Sequence, residues 1–123
     1  MAVAKRDLQL ASGEIISVGM NFFTLQLISK YPGGMNKMKR DMLELQETDP
    51  ESDEYGELLP VALDAVSYML YCMVRSAGIS CTQETCAMMV GLEDIDALYS
   101  VFEEFEKAAD KMSVGKTFPR VGK

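Results

Sequence analysis

Three cysteines, Cys72, Cys81 and Cys86, and 19 carboxylates are the side chains of this 123-residue chain best suited to chemistry, and no histidine accompanies them. Histidine is the usual general base near neutral pH and the commonest zinc ligand, so serine, cysteine or metal chemistry would need rarer arrangements here. Cys81 and Cys86 stand five apart, a spacing that on one helix sends two side chains to different sides, unlike a CxxC pair. The thiols therefore read as structural. Asp49, Glu51, Asp53 and Glu54 crowd together without the glycine and terminal glutamate of a calcium loop, and read as a solvated acidic segment. Gly13, Gly33, Gly34 and Gly91 lack the spacing of a phosphate-binding loop. The expectation is a chain with no catalytic site, no metal and no cofactor.

Charge narrows the partners. The net charge is −7, and between Asp41 and Asp110 there are 17 Asp or Glu against only Arg75 and Lys107. Such a field repels phosphate backbones and anionic membrane surfaces. A short helix, Gly91 and a longer helix have the outline of a helix-turn-helix, but the second helix carries seven carboxylates from Glu93 to Asp110 where DNA would require cations. Neither nucleic acid nor membrane is expected as a partner. The apolar run Leu58 to Val74 includes Pro60, Asp64 and Ser67, which favours a buried central helix over a membrane span. Few cysteines, and no signal peptide, point to a reducing, cytoplasmic setting.

The elements that must position these residues follow from periodicity. With 48% hydrophobic and 25% charged residues the composition is globular, and residues 1–112 are expected to form one domain with a flexible basic tail at 113–123. Leu8, Leu10, Ile16 and Val18 alternate about Ala11-Ser12-Gly13-Glu14, which predicts a β-hairpin. Asn21 caps a helix carrying Phe23, Leu27, Ile28 and Tyr31 on one stripe, stopped by Pro32-Gly33-Gly34. A second helix spans about Met35 to Glu47, followed by an exposed loop over Thr48 to Glu54. The central helix spans about Leu58 to Ser76, with Pro60 in its first turn and Gly78 as its C-terminal cap. Ser80 and Gln83 stand in capping-box relation for a short helix to Val90, and a heptad-patterned helix spans Glu93 to Met112. The predicted class is α+β, mainly α: an N-terminal hairpin followed by about five helices packed around a central apolar helix.

A candidate partner-binding surface lies on the second helix. Met35, Met38, Met42 and Leu45 form an apolar stripe, and thioethers both fill irregular cores and line adaptable grooves. Lys37, Lys39 and Arg40 precede Glu44 and Glu47, an order that opposes the helix dipole. Met35, Lys37, Met38, Lys39, Arg40 and Met42 are therefore the predicted contact residues, cations steering an acidic partner and methionines burying against it.

This order of elements resembles that of the tail assembly chaperones of long-tailed bacteriophages and prophages. The likeness covers roughly residues 8–110. It rests on the hairpin from Leu8 to Val18 and the helix from Asn21 to Tyr31 ending at glycines. It rests also on Ser80-Cys81-Thr82-Gln83-Glu84-Thr85 followed by Val90-Gly91-Leu92-Glu93-Asp94-Ile95-Asp96-Ala97-Leu98, a polar cap, short helix, glycine and acidic helix. The resemblance implies a cytoplasmic factor, outside the mature virion, that coats the tape measure protein and recruits tail tube subunits, with self-association into a homo-oligomer. It also implies a longer frameshifted form, for which Gly115-Lys116 and Gly122-Lys123 offer purine-rich codons. Leu58 to Val74 and the cysteines have no counterpart in that pattern. They leave a second expectation, a small phage-encoded or bacterial regulatory protein that binds and inhibits a host protein.

Overall fold

Strand β1 (Ala4–Gln9) and strand β2 (Ile15–Met20) form an antiparallel hairpin in the computed structural model, which describes residues 4–113. The expected tail, beyond its first residue, and both glycine-lysine pairs lie outside the described residues. The register pairs Leu8 with Ile16 and Arg6 with Val18. Leu8, Val18 and Met20 are buried, while Ile15 is exposed, the two-residue alternation that a sheet packed on one side requires.

Helix α1 (Phe22–Ile28) starts at Asn21, whose side chain accepts the Thr24 amide at 3.2 Å while Thr24 Oγ1 accepts the Asn21 amide at 3.0 Å. This reciprocal cap satisfies two amides the helix leaves unbonded. Helix α2 (Gly34–Glu44) continues into a 3-10 turn, Leu45–Glu47, which reproduces the expected Met35 to Glu47 segment in two parts.

Helix α3 (Asp53–Ser76) begins earlier than its apolar pattern predicts. Asp53 and Glu54 belong to its first turn, and only Thr48 to Ser52 forms the loop. Ser52 Oγ accepts the Tyr55 amide at 3.3 Å, and two carboxylates beside the positive end of the helix are favourable, which outweighs their mutual repulsion. Pro60 therefore sits inside the helix and not in its first turn. Gly56, whose carbonyl loses its helical partner to the proline, is exposed, as is Pro60 itself. At the other end Gly78 adopts φ +92°. Its amide donates to Arg75 O at 3.0 Å and the Ile79 amide to Val74 O at 3.3 Å, a Schellman closure as expected of this glycine.

Helix α4 (Gln83–Met89) is capped by Thr82, not Ser80: Thr82 Oγ1 accepts the Thr85 amide at 3.1 Å. A 3-10 turn, Leu92–Asp94, leads into helix α5 (Ile95–Ser113). Its Ile95, Leu98 and Phe102 are fully buried, whereas the heptad side chains of Phe105, Ala109 and Met112 lie outside the described residues.

The core assembles on α3, which touches α1, α2, α4, α5 and β2. Val66, Met69, Leu70 and Met73 of α3 are fully buried together with Val18, Ile28, Met38, Met42, Leu98 and Phe102. By length and apolarity α3 alone among the described helices could cross a membrane, and half of its most apolar stretch is buried inside the fold. The hairpin closes on α3 at Gly19, where a Cβ would come within 3.1 Å of Ser76 O. Asn21 Nδ2 donates to that same carbonyl at 3.3 Å.

Candidate interaction surface

The predicted contact residues of α2 divide between the interior and the surface. Met38 and Met42 are fully buried in the core, Met35 is half-buried against it, and Leu45 is buried too. Lys37 Nζ lies 2.6 Å from Asp41 Oδ1 one turn along. Asp41 is buried and also accepts the Tyr31 hydroxyl at 2.7 Å. Burial first, and then that carboxylate, push the Tyr31 pKa well above its usual range. Lys39 Nζ reaches Glu106 at 3.2 Å and lies 5.4 Å from the Phe102 ring centre, tying α2 to α5. Arg40 is exposed. Two of the three cations that oppose the helix dipole, Lys37 and Lys39, are thus compensated inside the protein, by Asp41 and Glu106.

The exposed apolar surface lies elsewhere. Phe22, Phe23 and Leu25 on α1 are 64%, 38% and 38% exposed, and Ile79 just past α3 is 41% exposed. A seven-residue helix with Phe22, Phe23, Leu25, Leu27 and Ile28 is apolar on nearly every side, and packing on α3 covers Thr24, Leu27 and Ile28 only. The Asn21 to Ser76 hydrogen bond brings the start of α1 and the end of α3 to the same end of the molecule. Beneath it, Thr24 Oγ1 donates to Ser76 Oγ, which donates to Cys72 O at 2.7 Å, a buried polar chain that fixes α1 on α3.

Arg75 borders this surface. Its guanidinium lies 5.4 Å from the Phe23 ring centre and 5.7 Å from that of Tyr71, and Nη1 donates to the Tyr71 hydroxyl at 3.0 Å. No carboxylate pairs with it among the described residues. Tyr71 continues a tilted aromatic row through Tyr68 at 5.7 Å to Tyr31 at 5.6 Å, with the Tyr68 hydroxyl donating to Leu27 O. Burial raises the Tyr68 pKa to about 12. The arrangement presents apolar rings and an unneutralised, ring-stacked cation, which is chemistry for holding an apolar segment with a carboxylate at its edge. Sequence periodicity placed Phe23 on the buried stripe of α1. The signal that marks the surface is the excess of apolar residues over what one side of so short a helix can bury.

A cavity of about 250 Å³ opens between the hairpin turn and α4, lined by Ala11, Ser12, Met89, Val90, Gly91, Glu93 and Asp94. Asp94 is buried there and already accepts the Ala11 amide at 2.7 Å and the Gly91 amide at 2.9 Å, so its carboxylate is structural. Among the described residues no group of three or more His, Cys, Asp or Glu is placed to hold a metal ion.

The cysteines differ from their sequence reading. Cys81 precedes the Thr82 cap and Cys86 lies in the helix, so they are not two positions of one helix, and their sulfurs stand 3.8 Å apart. They occupy the position before the cap and the fourth helical position, where a hydrophobic staple brings two side chains together.

Comparison with protein-family models, with curated proteins and with solved structures gives no match to this chain.

Proposed function

We propose that this protein is a non-enzymatic, protein-binding factor that covers apolar helical segments of another protein, as a phage tail assembly chaperone covers its tape measure protein. The observation that carries the reading is the exposed surface of Phe22, Phe23, Leu25 and Ile79 beside Arg75. A soluble chain keeps so many large apolar side chains in solvent at one place when a partner covers them. An amphipathic helix with a carboxylate flanking its apolar stripe fits: the stripe covers the rings, and the carboxylate meets Arg75, which has no carboxylate partner among the described residues. No nucleotide-binding loop is present in the sequence, so release runs on competing affinities, such as tail tube subunits displacing the factor.

Reading the neighbouring genes and measuring binding test the proposal together. A chaperone gene should lie between those for the tail tube and the tape measure, and the purified protein should bind the encoded tape measure. Phe22→Ser with Phe23→Ser should weaken that binding at least tenfold while leaving the melting temperature within a few degrees. Arg75→Glu should slow association most at low salt. Unchanged binding by all these variants would remove the surface from the mechanism.

A further inference from the structure

We propose that Cys81 and Cys86 are a covalent modification site, a thiol pair that low-molecular-weight disulfides convert into an intramolecular disulfide at the start of α4. The inference is independent of the partner reading. It stands on three features of the site: proximity, unequal access, and a backbone free to adjust on one side.

The sulfurs are 3.8 Å apart with the Cys86 thiol directed at Cys81, against a bonded separation of about 2.05 Å, so they have only about 1.8 Å to close. Cys86 is fully buried on α4, whereas Cys81 is half-buried on the non-helical segment between α3 and α4. The sulfur that must move is therefore on the residue without helical hydrogen bonds to hold it. A solvent-borne disulfide reaches Cys81 first. Burial holds the Cys86 thiol protonated, with its pKa pushed up to about 12, so Cys86 suits the resolving step rather than the first attack.

The chemistry balances without a metal or cofactor. The Cys81 thiolate attacks one sulfur of a disulfide RSSR, a new S–S bond forms, and RS⁻ departs. Cys86 then gives its proton to a departing thiolate and attacks the Cys81 sulfur, expelling the second RS⁻. Two protein thiols are oxidised and one RSSR is reduced to two RSH. Cys72, on α3, is a third thiol close enough for Cys81 to influence its titration, but it is fully buried and its own pKa is likewise raised to about 12 by burial. It is the internal control.

The test treats the native, reduced full chain with oxidised glutathione, followed by thiol counting, intact mass and disulfide mapping. The expected product has lost the mass of two hydrogens, carries one free thiol at Cys72, links Cys81 to Cys86, and is restored by dithiothreitol. Cys81→Ser should abolish the reaction, and Cys86→Ala should stop it at one glutathione held on Cys81. The wild-type map decides the matter even if Cys86→Ala folds poorly. Three retained thiols, a persistent glutathione adduct on the wild-type chain, or a disulfide that includes Cys72 would each overturn the assignment and leave the pair as a packing staple alone.

Discussion

Met38 is the residue on which two roles diverge most sharply. Its side chain is fully buried in the core cluster on the helix that packs against α3, so Met38→Ala should cost about 2–5 kcal/mol of folding stability, seen as a lower denaturation midpoint. Arg40→Glu, on the exposed side of the same helix, should shift stability by less than about 0.5 kcal/mol. The buried thiols give a second residue-scale expectation. Cys72 and Cys86 keep their protons to about pH 12 when folded, against about 9 when unfolded. Between those values the folded chain binds more protons, so stability is intact below pH 9 and falls as pH rises through the window. Melting temperatures measured from pH 7 to 11 should decline above 9, and Cys72→Ala should flatten the decline. At this scale the sequence was informative about Met38 only as far as its helical stripe. Side chains on a stripe and side chains in a groove share one spacing, and only the arrival of α3 over them decides.

Helix boundaries were legible where a cap and an apolar pattern coincide. Asn21 and Gly78 stand where the sequence places them, and the hairpin follows its alternation. The start of α3 was hidden because Asp53 and Glu54 read as mutually repelling charges, while their interaction with the helix end and the Ser52 cap acts in the opposite direction. Ser52→Ala should therefore lower stability by about 1 kcal/mol. Pro60, interior and exposed, should be among the few positions where substitution helps: Pro60→Ala restores an amide donor and should raise the melting temperature, since proline is about 3 kcal/mol less favourable than alanine within a helix. A lower melting temperature would mean that its limit on the unfolded chain matters more than the lost hydrogen bond. The two-residue shift of the α4 cap from Ser80 to Thr82 had a larger effect on the reading of function. It alone separates two cysteines on different sides of a helix from two sulfurs in contact.

At the scale of the whole molecule, charge and apolar surface are sorted. Six cations and two carboxylates, Asp7 and Glu14, fall between Lys5 and Arg40, ahead of the 17 carboxylates from Asp41 to Asp110. Arg6 with Glu104 at 2.6 Å and Lys39 with Glu106 join the two halves across the fold. These bridges are partly exposed, so raising salt should weaken the joint modestly, and chelator should leave the melting temperature unchanged because the core assembles on α3 and no metal-ligand cluster is found among the described residues. A drop on adding chelator would contradict that account.

The Asp94 carboxylate spans 83 residues to hold the amide of Ala11 in the hairpin turn. A two-stranded hairpin alone is marginal in water, and the turn of this one gains its carboxylate partner only once Asp94, 83 residues further along the chain, has been made. The turn must therefore wait without that acceptor, while β2 and Asn21 already have α3 to pack against. Until then the Ala11 amide has no side-chain acceptor, and Asp94 acts as the latch that supplies it.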